Sequence, residues 1–153
     1  MDGNRRWARE RNLPLMEGHQ EGFKKLKEAL RWGYDAGIKN AVIYAFSTEN
    51  WQRSQEEVDY LMKLLRSILE NSTQEMVDNQ VRICFIGDRS RFAADFQKLM
   101  IHMETATAEN YKGTLYVLLS YGGRAEIVAA TNQLLAEGVS SVTENSFSEK
   151  LWS

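Results

Sequence analysis

AVIYAFSTENWQRSQEEVDYLM, residues 41–62, contains the change of pattern on which the fold turns. Ala41, Val42, Ile43, Tyr44, Ala45 and Phe46 are apolar without alternation. That is the pattern of a strand buried on both faces, as in a parallel sheet, and it is too short to cross a bilayer. Ser47, Thr48, Glu49, Asn50, Trp51, Gln52 and Arg53 then gather hydroxyls, a carboxylate, an amide, an indole and a guanidinium where such a strand would end. Ser54 and Glu57 stand at capping-box spacing, and Val58, Leu61, Met62, Leu65, Ile68 and Leu69 follow at helical intervals. Strand, polar corner and helix form the unit of an open α/β sheet, whose ligands sit beyond the carboxyl ends of the strands. The same pattern also serves as an ordinary connection.

The unit recurs downstream. Residues 81–86 read as a second strand ending in Gly87, Asp88 and Arg89, and Phe92, Phe96, Leu99, Met100 and Met103 trace a helix to about residue 109. Residues 114–119 read as a third strand, followed by Ser120, Tyr121, Gly122, Gly123 and Arg124. Ile127, Val128, Thr131, Leu134 and Leu135 then mark a helix closed by Gly138. Upstream, Pro14 and residues 17–19 read as a loop, and Phe23, Leu26, Leu30 and Tyr34 line one face of a helix over residues 20–36 that Gly37 stops. The helix from Gln55 extends towards Asp78, with Asn71, Ser72 and Thr73 marking a break or kink. Ser146 and Glu149 repeat the capping-box spacing before Phe147, Leu151 and Trp152.

This order predicts an α/β fold, a parallel β-sheet flanked by helices. Three doubly buried strands would leave apolar edges open, so edge strands are expected to be missing, supplied by a terminal strand, a partner subunit or both. A length of 153 residues suits one domain, and 43% hydrophobic with 26% charged residues is ordinary for a globular protein. A net charge of −2 offers no global attraction for nucleic acid, so any phosphate recognition must be local. The single cysteine, Cys84, has no disulfide partner and reads as a small buried hydrophobe in a reducing compartment. The expected location is the cytosol, with the membrane surface as an option.

The first twelve residues, MDGNRRWARERN, open on an Asp-Gly-Asn turn and crowd Arg5, Arg6, Arg9 and Arg11 around Trp7. Such a cluster is a solvated helix face, a nucleic-acid patch or a phosphate clamp, and the acidic total argues against the second. Arg6, Arg53 and Arg124 offer charge-assisted hydrogen bonds, and Asp2 offers a carboxylate to Mg²⁺ shared with phosphate oxygens. The three strand ends and residues 2–6 are expected to face one cleft.

MDGNRRWA with Gly18-His19, YAFSTENWQRSQEEVDYLM, IGDRSRF and SYGGRAEI together resemble the successive motifs of the cis-prenyltransferases, the undecaprenyl and dehydrodolichyl diphosphate synthases. The resemblance implies a homodimer or heterodimer and Mg²⁺-dependent addition of isopentenyl diphosphate to an allylic diphosphate of farnesyl type, giving a polyprenyl diphosphate lipid-carrier precursor. It implies that Asp2 handles Mg²⁺ and the allylic diphosphate, that Gly3, Asn4 and Arg6 cradle that diphosphate with Trp7 beside them, and that Asn50 is catalytic with Asp2. It places His19, Ser47, Trp51, Arg53 and Glu57 near the same substrate. Each of three has a plain structural alternative: His19 as a helix cap, Trp51 packed under its loop, Glu57 in a capping box. The apolar stripes of residues 20–36 and 55–69 fit a product tunnel or plain core.

By the same resemblance residues 1–153 are expected to be a single incomplete domain. An apolar strand before the turn and a later strand with an arginine/serine motif for isopentenyl diphosphate are missing, and Leu15 stands where some members have arginine. The expectation is a chain that keeps the allylic-diphosphate half-site. A noncatalytic prenyltransferase-like subunit that stabilises or regulates a partner is the competing reading, and a generic phosphate-binding α/β module explains the arginines but not the ordered motifs. No nucleic-acid partner is expected, and membrane association would be peripheral, through the lipid product.

Overall fold

The computed structural model describes residues 2–152. Helix α1 (Asn4–Glu10) leads to α2 (Leu15–Asp35), β1 (Asn40–Ser47), α3 (Gln55–Asp78), β2 (Val81–Ile86), α4 (Ala94–Ala106), β3 (Gly113–Tyr121), α5 (Gly123–Ala136) and α6 (Glu144–Ser148). Short 3₁₀ turns, Thr48–Gln52 and Arg89–Arg91, follow β1 and β2. The strands pair in parallel in the order β1-β3-β2. All three chain directions agree, so the carboxyl ends Ser47, Ile86 and Tyr121 share one end of the sheet.

One face of the sheet carries the core. Ile83 and Phe85 of β2 and Leu115, Val117 and Leu119 of β3 are buried in one cluster with Leu61 and Leu69 of α3 and Phe96, Met100 and Met103 of α4. The apolar stripe of α3 is therefore core, whereas Phe23 and Leu26 of α2 are only half-buried. The other face departs from the doubly buried expectation: Val42 is 64% exposed and Tyr44 51%. An unbroken apolar run specifies extended backbone but not which of its faces is covered.

A bulge re-aims both strands at their polar ends. Tyr44 pairs with Leu118, Phe46 with Leu119, and Ser47 with Tyr121, so Ala45 and Ser120 fall outside the ladder. Without the extra residue Phe46 would take the open face, because side chains alternate along a strand. With it, Phe46 is 1% exposed in the core. Ser120 adopts a left-handed backbone, φ 51.

Several local expectations are corrected. Helix α2 begins at Leu15 with Pro14 as its N-cap, so Gly18 and His19 are helical rather than in a loop. A proline at that position restricts the residue before it and leaves the following turn free. Helix α3 runs unbroken to Asp78, with the polar side chains of Asn71 and Thr73 satisfied within the helix by donating to the carbonyls of Ser67 and Leu69. Helix α4 ends at Ala106, short of residue 109. On α5 it is Ala130 and Leu134 that are buried with Glu126, while Ile127, Val128 and Leu135 of the anticipated stripe are exposed. The last capping box joins Thr143 to Ser146, three residues upstream of the expected pair, and Glu149 is the C-cap of α6. The stops at Gly37 and Gly138 hold: both have positive φ, and the amides of Ile38 and Val139 donate to the carbonyls of Gly33 and Leu134.

Candidate functional site

The Asp-Gly-Asn turn is built by backbone geometry. Gly3, φ 89, is the N-cap of α1, and its amide donates to Oδ1 of Asp2 at 2.6 Å. The left-handed turn is open to glycine at little strain and starts α1 so that Arg5, Arg6 and Arg9 fall along one short helix. Asp2, Gly3, Asn4, Arg5, Arg6 and Arg9 together with His19 of α2 and Arg53 of the β1 corner line an open cleft of about 370 Å³. A second cavity of about 430 Å³ shares Asp2, Gly3, Asn4 and Arg6 and is completed by Trp7, Glu10, Gly18, Glu21, Gly22 and Lys25.

Behind the first cleft stands Glu57, whose side chain is 12% exposed. Arg53 Nη1 donates to its Oε1 at 2.8 Å, while Arg5 Nε and His19 Nε2 approach the same oxygen at 3.7 and 3.5 Å. Those two nitrogens are buried without a hydrogen-bond partner among the described residues. Burial lowers the His19 pKa, Arg53 and Arg5 push the same way, and Glu57 pulls upward. Desolvation prevails because 3.5 Å is long for a hydrogen bond, so the imidazole is held neutral near pH 7. Glu57 does not complete the expected capping box. Its backbone amide meets Ser54 Oγ at 3.4 Å, but its carboxylate faces Arg53.

Six of the anticipated residues therefore meet in one cleft: Asp2, Gly3, Asn4, Arg6, His19 and Arg53. Trp7 lies in the adjoining cavity with Arg11 stacked 4.4 Å from its ring. Ser47 and Asn50 form a capping box with each other: Asn50 N–H donates to Ser47 Oγ at 3.2 Å and Ser47 N–H to Asn50 Oδ1 at 3.0 Å. Trp51 packs beneath its loop between Phe46 and Phe92, with Arg91 over its ring. Of the four arginines crowded around Trp7, Arg5, Arg6 and Arg9 line the cleft, the phosphate-clamp alternative for that cluster, and Arg11 stacks on Trp7 instead.

The corners of β2 and β3 do not line this cleft, against expectation. They interlock with the β1 corner instead: Trp51 Nε1 donates to Ser120 Oγ at 2.9 Å, Asp88 N–H to the Ser120 carbonyl at 3.3 Å, and a Cβ on Gly122 would fall 2.5 Å from Thr48 Oγ1. Arg89 is taken up by Glu104, at 2.7 and 2.8 Å, and by the Phe85 carbonyl. Arg124 is exposed.

Chemically the cleft is an anion receptor. Arg5, Arg6, Arg9 and Arg53 line it, while Asp2 lines it and Glu57 stands behind. Arg6 and Arg9 have no carboxylate partner among the described residues. Four guanidiniums against two carboxylates leave an excess of two positive charges, suited to a multiply charged phosphate ester.

A family model described as "Putative undecaprenyl diphosphate synthase" matches residues 1–153. The chain belongs to this family. The isoprenyl transferase of Fusobacterium nucleatum subsp. nucleatum is 41% identical over 152 residues, covering 99% of this chain and 66% of that protein. The ditrans,polycis-undecaprenyl-diphosphate synthase ((2E,6E)-farnesyl-diphosphate specific) of Micrococcus luteus is 38% identical, covering 99% and 64%. The chain thus spans about two-thirds of the length of these relatives. The crystal structure of lavandulyl diphosphate synthase from Lavandula x intermedia in complex with dimethylallyl diphosphate superimposes with a TM-score of 0.90 at 31% identity, covering 99% of this chain and 68% of that one. The parallel three-stranded sheet flanked by helices is the family's architecture over this span.

Proposed function

We propose that the cleft binds the diphosphate of a farnesyl-type allylic substrate, and that residues 1–153 supply this half of a cis-prenyl transfer in which isopentenyl diphosphate is added to make a polyprenyl diphosphate. The observation that carries the reading is the gathering of Asp2, Gly3, Asn4, Arg6, His19 and Arg53, drawn from motifs far apart in sequence, around one cation-rich cleft. Ionisation of an allylic carbon–oxygen bond places charge on the departing diphosphate, and guanidiniums fixed before the reaction stabilise that charge without reorganising. Arg6 and Arg9 are the cations with most to gain from a diphosphate; Arg5 and Arg53 are already braced by Glu57. A neutral His19 donates or accepts a hydrogen bond from the cleft wall without adding charge. Ser47 and Asn50 act by holding the β1 corner that delivers Arg53, and Trp51 by anchoring that corner to the core.

Among the described residues no three His, Cys, Asp or Glu side chains gather as a protein-only metal site. The exposed Asp2 carboxylate fits a hard cation that takes its remaining ligands from diphosphate and water, which is how Mg²⁺ is commonly held. Bound there, Mg²⁺ would supply further neutralisation of diphosphate charge. No helix among the described residues is long and apolar enough to cross a membrane. A cytoplasmic protein acting as a homodimer or heterodimer, with the lipid product bringing it to the membrane surface, completes the reading.

The test is calorimetric titration of the chain with farnesyl diphosphate and with inorganic pyrophosphate, with and without Mg²⁺, followed by incorporation of labelled isopentenyl diphosphate. Saturable binding that Arg6→Ala and Arg53→Ala each weaken supports the proposal. Absence of saturable binding by either ligand, at concentrations up to a millimolar, overturns it.

A further inference from the structure

Two glycines on α2 have no conformational reason to be glycine. Gly18 and Gly22 sit inside a regular helix, where glycine is unfavourable by roughly 0.5–1 kcal/mol relative to alanine. Space explains both. A Cβ on Gly18 would lie 2.2 Å from the Asn4 carbonyl oxygen and 3.0 Å from Ala8 Cβ. A Cβ on Gly22 would lie 2.3 Å from Oδ1, 2.6 Å from Cγ and 2.6 Å from Nδ2 of Asn4. The two contacts differ in kind. Gly18 admits backbone, next to the fully buried Ala8, and so sets how closely α1 and α2 approach. Gly22 admits a side chain: the Asn4 carboxamide occupies the space that a Cβ would take.

That carboxamide makes no hydrogen bond among the described residues. Its position is therefore decided by packing on Gly22, and Asn4 is one of the residues that line both the cation-rich cleft and the adjoining cavity. Gly33 on the same helix provides the contrast, since a Cβ there meets only Ile38 at ordinary contact distances of 3.6 and 3.9 Å.

We infer that Gly22 is a positioning residue for the diphosphate site: its bare Cα seats the Asn4 carboxamide, and through it sets the donor that the Asp2–Asn4 turn presents to a diphosphate. The inference rests on the function proposed above. An added methyl at position 22 leaves the carboxamide no room and displaces it, whereas the same methyl at position 33 touches nothing in the site.

The experiment is a double-mutant cycle on the full chain with Asn4→Ala, Gly22→Ala and their combination, and Gly33→Ala as control. Affinity for inorganic pyrophosphate in the presence of Mg²⁺ is read by calorimetry and stability by urea unfolding. The expected result is a loss of at least tenfold in affinity from Gly22→Ala in the wild-type background and less than twofold in the Asn4→Ala background, with Gly33→Ala unchanged. Equal losses in both backgrounds, or a loss under twofold in the wild type, overturn the inference. Should Gly22→Ala alone fail to fold, recovery of folding in Asn4→Ala/Gly22→Ala supports the contact, and failure of the double variant overturns it. If the wild type binds neither pyrophosphate nor farnesyl diphosphate, the proposed function falls on its own, and whenever pyrophosphate does not bind the seating is read from the Asn4 side-chain amide resonances. Gly22→Ala must move them well beyond Gly33→Ala, and equal shifts overturn the seating.

Discussion

Trp51 donates its indole N–H to Ser120 Oγ across 2.9 Å, joining residues 69 apart in sequence and holding the corner after β1 against the end of β3. Ser120 is fully buried, has φ 51, and lends its carbonyl to the amide of Asp88, so one residue ties together the ends of all three strands.

Replacing Ser120 with alanine leaves the indole N–H without its acceptor while keeping a Cβ in the left-handed region. The expected destabilisation is about 1–3 kcal/mol. Ser120→Gly loses the same hydrogen bond but relieves strain of roughly 1–2 kcal/mol, so it should be the more stable of the two variants. Urea unfolding monitored by circular dichroism checks the order, and an alanine variant as stable as the glycine one would remove strain at this position from the account.

The lowered His19 pKa makes a signed prediction about pH. Because burial holds the folded-state value below the ordinary 6.5, the folded chain binds fewer protons than the unfolded one between the two values. Stability from this group is fully present above pH 6.5 and is lost as pH falls through the folded-state pKa. His19→Asn should flatten this part of the profile when unfolding is measured from pH 7.5 down to 5. Glu57→Gln should move the His19 imidazole titration, followed by NMR, to still lower pH, since Glu57 is the group pulling it upward.

Asp2 is exposed, and its carboxylate meets the neighbouring Gly3 amide rather than the core. Asp2→Ala should therefore change stability by no more than about 0.5 kcal/mol yet abolish the strengthening of diphosphate binding by Mg²⁺. Asp2→Asn, which keeps an acceptor for Gly3, should lose the Mg²⁺ effect as completely. A lowered melting temperature with an intact Mg²⁺ effect would reduce Asp2 to a turn residue.

Gly33→Ala should raise stability by about 0.5–1 kcal/mol, since the helix gains propensity and the new methyl meets no clash. Thermal unfolding measures it, and a loss of stability would mean that the Ile38 contact is tighter than its distances indicate.

Local pattern determined much of this protein. Six successive apolar residues followed by a polar corner and a helical stripe specify strand, loop and helix through short-range backbone preferences, and three repeats of the unit specify a parallel sheet whose corners share one end. The ordered motifs determined the family and pointed to Asp2, Gly3, Asn4, Arg6, His19 and Arg53, because the residue types that bind phosphate can be read one at a time. Tertiary structure alone decided what depends on distance between remote segments. It left Val42 and Tyr44 exposed, because burial of a strand face is set by which helix returns over it. It withheld the β2 and β3 corners from the cleft by engaging them with Thr48, Trp51 and Glu104. It also turned Glu57 from a capping residue into the counter-charge of Arg53 and set the Asn4 side chain against Gly22, since a contact between α1 and α2 has no signature in either segment by itself.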